Sequence, residues 1–398
     1  MHKSSLFAFF AMVCVLCSGS LAACLWDYDT VRQEVDGKPD TLVAILGGFA
    51  QNPPLFYEMR LERVSKMLAD NPDDLDAYDA AAVACDRLGR PDDAIEWMAK
   101  KAEALERLGY NGKGEAQPNH RYRYLANLGT FHAHRWIKNG ANREEMADIE
   151  RARELIAQAI EENPDAHFGR EKYQLMLIEW AIKGDRYYEW DDKDLPVSPT
   201  HGAGTLPTFL AAANSDEILE EAEIGLVGLI TQGVAWRSVD VFYALAVALE
   251  RQDKNVIASV AHGRAGALAQ EGARSIVPNA PTGSELAFIV SVMDAMHEQE
   301  ARLAELSKQA HEWSKAREKY LNDRLVRGEH PDTHEGFWSE FDGNPDRFEI
   351  SWRFNDYFPG WKPGYMLYVA PVVLVLGLAF AILVVRVLRR RSRMRAIG

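Results

Sequence analysis

The sequence predicts an all-α protein: a solenoid of helical hairpins, a long C-terminal helix and a single transmembrane helix. Three observations carry that prediction. Asn-Pro-Asp occurs twice, at Asn71-Pro72-Asp73 and Asn163-Pro164-Asp165, each time after an amphipathic segment. Proline cannot continue a helix and aspartate caps the next one, so each motif reads as a turn between helices. Apolar and small side chains then recur at helical spacing through most of residues 40–270. Finally, Tyr365 to Val385 is uncharged and almost wholly apolar, long enough at ~1.5 Å per residue to cross ~30 Å of hydrocarbon.

The elements follow in chain order. Residues 1–23 have the layout of a signal peptide, with Lys3 ahead of an apolar stretch from Leu6 to Cys17 and small residues after it. Two processing routes fit: cleavage by a leader peptidase, or lipidation of Cys24, because Leu21-Ala22-Ala23-Cys24 resembles a bacterial lipobox. A helical repeat domain is expected over 24–270, interrupted by a loop at 184–207 that holds Pro196, Pro199, Gly202, Gly204 and Pro207. A long helix over 282–327 begins at a capping-box pattern, Thr282 and Glu285. Its apolar stripe runs through Leu286, Ile289, Met293, Met296, Leu303, Leu306, Ala310, Trp313 and Tyr320, with a register shift that argues against a regular coiled coil.

Residues 328–364 form an aromatic juxtamembrane segment that includes Phe337, Trp338, Phe341, Trp352 and Trp361. Such residues suit either the headgroup interface or the core of a small module. The transmembrane helix at 365–385 precedes a basic tail at 386–398, which the positive-inside tendency places in the cytoplasm. Residues 25 to about 360 would then lie outside the cytoplasm, periplasmic or extracellular, on a single-pass membrane protein.

Composition narrows the function. The chain has 398 residues, 47% of them hydrophobic, enough for two or three domains and a real core. Its cysteines are Cys14, Cys17, Cys24 and Cys85, two of them inside the apolar leader, which excludes a disulfide framework or a cysteine zinc cluster. The formal charge is −14. Setting aside Lys3 and the six arginines of the last 13 residues leaves 38 bases against 59 acids, an excess of 21 negative charges. So acidic a body repels phosphate backbones, and no nucleic-acid partner is expected.

From Leu75 to Leu108, Tyr78, Ala81, Ala82, Cys85 and Leu88 share one face, Gly89-Arg90-Pro91 makes a turn, and Ala94, Ile95, Met98 and Ala102 follow. Small residues at Ala81, Ala82 and Ala94 let two antiparallel helices approach closely. This segment resembles the tetratricopeptide repeat, a 34-residue helix-turn-helix. Arg121 to Pro164 resembles a second copy with an enlarged turn around Lys138 to Asp148, and Val239 to Gln270 a looser third, in which His262 replaces a large apolar residue. The resemblance implies stacked hairpins whose first helices line a groove for an extended peptide or helix. Carried over, the groove positions are Asp76, Asp79, Val83, Asp86 and Arg87, then Arg123, Ala126, Thr130, Ala133 and His134, then Asp240, Tyr243, Val247, Glu250 and Arg251. The first patch is mostly acidic, which favours a basic or amide-rich partner.

Catalytic and metal constellations are weak. Asp27-Tyr28-Asp29 is an Asp-x-Asp, but the strand that would present such a pair is missing from the sequence around it. His132 and His134 stand two residues apart, which points them to different faces of a helix. His330, Asp332, His334 and Glu335 make a denser cluster, interrupted by Pro331. Gly47-Gly48 lacks a phosphate-loop lysine, and there is no Gly-x-Ser-x-Gly. The expectation is therefore a membrane-anchored scaffold that binds another protein or peptide segment, without a catalytic step, cofactor or metal. The rivals are an extracytoplasmic enzyme or metal-dependent binding protein using these acids and histidines, and an envelope protein self-associating through the long helix.

Overall fold

The computed structural model describes residues 25, 27, 29, 40–110, 119–164, 166–183, 189–190, 196–197, 206, 210, 213, 215–233, 235–277 and 297–350. The chain divides into two compact units, Met1–His297 with Ala304–Glu349, and Glu298–Leu303 with Ile350–Gly398. Of the second unit, residues 298–303 and 350 are described, the former as helix.

The protein is all-α. Among the described residues there are eleven α-helices: α1 Thr41–Ile45, α2 Pro54–Asp70, α3 Leu75–Arg87, α4 Pro91–Arg107, α5 His120–Lys138, α6 Ala147–Glu162, α7 Arg170–Lys183, α8 Asp216–Thr231, α9 Val239–Glu250, α10 Asn255–Gln270 and α11 His297–Leu325. The extended structure in the named elements is one antiparallel pair of two-residue strands, Glu189–Trp190 with Pro196–Val197, inside the 184–207 loop region.

Local chemistry sets the boundaries. Pro54 and Pro91 sit in the first turns of α2 and α4, where a missing N–H costs nothing. Asn71 ends α2 as expected, but the residue that caps α3 is Asp74, one position beyond the motif, its carboxylate accepting the Ala77 N–H at 3.0 Å. Asp73 reaches instead to Arg107 at the end of α4. Asn163 likewise ends α6, and the chain then makes a 3-10 turn, Ala166–Gly169, before α7. The enlarged turn between α5 and α6 is held by the Trp136 indole N–H, which donates to the Asn142 carbonyl at 3.1 Å.

From α2 to α10 each helix packs on the next one in sequence, and α3 also touches α5. Helix α3 is surrounded on nearly all sides: Ala77, Ala80, Ala81, Ala82 and Ala84 are fully buried, and their small side chains allow α2, α4 and α5 to close in. Close approach elsewhere depends on glycine. A Cβ on Gly225 of α8 would lie 2.3 Å from the Tyr173 ring of α7, and one on Gly129 of α5 2.9 Å from Ile156 of α6. The largest core cluster gathers Trp136, Tyr173, Trp180, Phe242 and Tyr243, and a second one, around Phe56, Tyr57, Leu321, Leu325 and Phe337, joins α2 to α11.

The described part of the long helix is α11; residues 282–296, with the capping-box pattern, lie outside the described residues. Leu306 and Ala310 of the expected stripe are buried, Trp313 donates its indole N–H to the Asn344 carbonyl at 3.0 Å, and Tyr320 stacks on Trp338. The aromatic residues at 337–341 therefore pack on α11 and α2.

The single-pass membrane location expected from the sequence is corrected here. Among the described residues no helix is long and apolar enough to cross a membrane. The two that have the length, α5 with 19 residues and α11 with 29, carry charged side chains along their course, and each charge at mid-bilayer costs several kcal/mol. Residues 365–385, the basic tail and the signal-like residues 1–23, with Cys24, lie outside the described residues.

Candidate functional site

Several of the residues expected to line a groove are engaged inside the helical stack. Asp79 is 1% exposed; its carboxylate accepts from Lys101 Nζ at 2.6 Å and from Asn127 Nδ2 at 3.1 Å. Arg123 donates to the half-exposed Asp76 at 2.6 Å. Thr130 is buried and accepts from Gln174 Nε2 at 3.0 Å. Tyr243 is buried between Trp180 and His262, Glu250 pairs with His262 at 2.9 Å, and Arg251 donates to the Ala213 carbonyl. These contacts tie α3 to α4 and α5, α5 to α7, and α9 to α7 and α10.

Three of the expected residues, Asp86, Arg87 and His134, meet at a pocket of about 470 Å³. Asp86 and Arg87 come from the last turn of α3, and His134, Ile137 and Lys138 from the end of α5. The opposite wall is Ile230, Thr231, Gly233, Trp236 and Arg237, and the segment Phe49 to Asn52 closes a third side with Tyr57 beside it. His134 Nδ1 lies 2.7 Å from Asp86. A carboxylate there makes Nδ1 the protonated nitrogen of the neutral ring, and the other nitrogen, Nε2, is buried without a hydrogen-bond partner. Arg87 spans the pocket, donating to the Gly233 and Gln232 carbonyls at 2.7 and 2.9 Å. Thr231 turns its hydroxyl back to the Val227 carbonyl at 3.1 Å.

Residues missed in the sequence complete this pocket. Phe49 and Trp236 meet edge to face at 5.4 Å. They can do so because Gly47, at φ +76°, lies against the indole: a Cβ there would be 2.6 Å from the Trp236 ring. Gly48 is equally tight against Phe348, 2.8 Å from its Cβ. The glycine pair, which had no phosphate-binding context, was the available signal: two adjacent glycines before an aromatic residue mark close backbone approach.

The acidic and histidine motifs that the sequence left as separate metal candidates converge on one arginine. Arg60 of α2 is fully buried and donates to Asp27 at 3.1 Å, to Asp29 at 2.9 Å and to Asp332 at 2.7 Å; Arg63 also reaches Asp332, at 2.5 Å. His330 stacks on Phe56, donates from Nε2 to the Phe56 carbonyl at 3.1 Å and accepts the Asp332 N–H. His334 is exposed, and His132 pairs with Asp148 rather than with His134. The carboxylates that would ligate a metal thus hold guanidinium groups. Burial opposes the charge on Arg60, but the aspartates outweigh it and hold its pKa well above the usual value.

Asp76, Asp79 and His120 place one ligand atom each within 4.8 Å of one another. Lys101 and Arg123 already balance the two carboxylates. Burial, reinforced by Lys101 and Arg123, pushes the His120 imidazole down to about 4.

No protein-family model, no curated protein and no solved structure matches the chain. The site must therefore be read from its own chemistry.

Proposed function

We propose that the chain is an array of helical hairpins of the tetratricopeptide kind that holds another protein, or a peptide segment of one, without a catalytic step. The observation that carries this reading is the pocket at the C-terminal ends of α3 and α5. Four of its polar residues, Asp86, Arg87, His134 and Lys138, come from equivalent ends of the first helices of two successive hairpins, where the resemblance puts partner contacts. Two further features support it. The residues at signature positions of the first hairpin, Tyr78, Ala81, Ala82, Cys85, Ala94 and Met98, are all buried between helices. Consecutive packing from α2 to α10 is the arrangement in which stacked hairpins share a continuous core.

A photo-crosslinking amino acid placed at Lys138, exposed at the pocket rim, tests the proposal in cells against the same group at Lys66 on the exposed side of α2. A defined crosslinked product from position 138 that is missing from position 66 is expected. Equal products from both positions, or none from 138, would remove the reading.

A further inference from the structure

Leu25 is fully buried in a cluster with Val83 and Cys85 of α3 and with Tyr122, Ala126 and Phe131 of α5. Among the described buried members of that cluster, it alone comes from outside the α-helices. Val83 and Ala126, expected to line an open groove, are 1% and 0% exposed. Two and four positions beyond Leu25, Asp27 and Asp29 accept three hydrogen bonds from the Arg60 guanidinium of α2, at 3.1, 2.9 and 3.2 Å. We infer that this face of α2, α3 and α5 is a peptide-binding site for the pattern Leu-x-Asp-x-Asp, and that the chain fills it with its own residues 25–29. The inference goes beyond the scaffold reading and does not rest on the pocket.

The contacts are of the two kinds that recognise a peptide. Leu25 supplies a fully desolvated apolar anchor. Arg60 reads the acids through charge-assisted hydrogen bonds, and its rigid planar fork fixes where the carboxylates must stand. Asp27 Oδ1 also accepts the Asp29 backbone N–H at 3.0 Å, a turn that brings both carboxylates to one guanidinium. Asp332 accepts from Arg60 Nε and Nη2 at 2.8 and 2.7 Å, which keeps the arginine oriented whatever occupies the site. Eleven residues, 30–40, separate Asp29 from the start of α1 at Thr41. At up to ~3.6 Å each they reach ~40 Å, a tether long enough for the segment to leave while the helices stay packed. A ligand on so short a tether acts at an effective concentration in the millimolar range. A free peptide of the same pattern therefore competes only where the internal segment is weakened.

The test is fluorescence anisotropy of the full chain with a labelled, capped peptide of residues 25–30, against the same peptide with both aspartates changed to asparagine. The triple variant Leu25→Ala, Asp27→Asn, Asp29→Asn removes the anchor and the charges of the internal segment. It should bind the aspartate peptide at least tenfold more tightly than the parent does, and at least tenfold more tightly than it binds the asparagine peptide. Equal binding by variant and parent, or equal binding of the two peptides by the variant, overturns the inference. If the variant alone is unfolded, helical circular dichroism regained on adding the aspartate peptide supports the inference. No recovery overturns it, because the segment is then part of the core rather than a ligand.

Discussion

At the scale of single residues, the molecule is organised by buried charges that satisfy one another. Lys101 and Asp79 are both buried, and burial pushes the lysine down and the aspartate up, each partly offset by the other. Removing one partner leaves an uncompensated charge, so Lys101→Met should cost about 3–5 kcal/mol in chemical unfolding. Adding Asp79→Leu to it should recover most of that loss, and a double variant no more stable than the single one would contradict the pairing. His120 supplies a pH signature. Its unfolded-state value is near 6.5, and its folded value is about 4. In that window the unfolded chain binds the extra proton, so the stability His120 contributes is present above pH 6.5 and is lost as the pH falls towards 4. Urea unfolding of His120→Asn from pH 7 to 4 should show a shallower decline than the parent, and parallel curves would contradict the assignment. None of this pairing was visible in sequence. Asp79 and Lys101 are 22 positions apart, and only the antiparallel packing of α3 on α4 brings them together.

At the scale of elements, much was legible. The third hairpin, expected at Val239 to Gln270, has α9 and α10 with the same outer limits, because Ser238 caps α9 through the Val241 N–H and apolar spacing continues to the end of α10. The two Asn-Pro-Asp motifs mark helix ends at Asn71 and Asn163, and at the first of them the capping residue is displaced by one, since Asp73 and Asp74 are both competent caps and only the backbone path chooses between them. Long-range glycine contacts were not legible, because a glycine inside a helical pattern does not say which neighbour approaches it. Gly225 makes the point testable: with Tyr173 Cδ2 2.3 Å from a Cβ at that position, Gly225→Ala should destabilise by about 1–3 kcal/mol through overpacking of α7 on α8. Pairing it with Tyr173→Leu should return part of the loss in a thermal melt. A neutral effect of the single change would show that the two helices separate freely.

At the scale of the whole molecule, within the first unit, sequence-neighbour packing is supplemented by a set of very distant ties. Helix α1 touches α8 and α10; the Ala50 N–H donates to the Asp346 carbonyl at 2.9 Å, and Phe348 N–H to Gly48 O at 2.7 Å. Arg317 donates to the Gln51 carbonyl across 266 positions, and Arg60 to Asp332 across 272. Replacing Arg60 by methionine should therefore do more than lower stability by about 3–5 kcal/mol: amide exchange should quicken around residues 330–337 as well as in α2. Exchange confined to α2 would show that the 330–337 segment is held by its aromatic packing alone. The sequence pointed to Asp27, Asp29 and the His330–Asp332 group as chemically unusual, but it offered no means of seeing that one arginine on a different helix answers them all. Those same distant ties set an order of events during synthesis. At ~5–20 residues per second, Arg60 emerges roughly 14–54 s before the Asp332 that completes its shell, so the hairpins can form long before the segments that lock them together exist. The nascent chain spends that interval with Asp27 and Asp29 as the partners available to Arg60 and with the Phe56 edge not yet covered by His330, which makes the final closure of the unit, rather than helix formation, the slow long-range step.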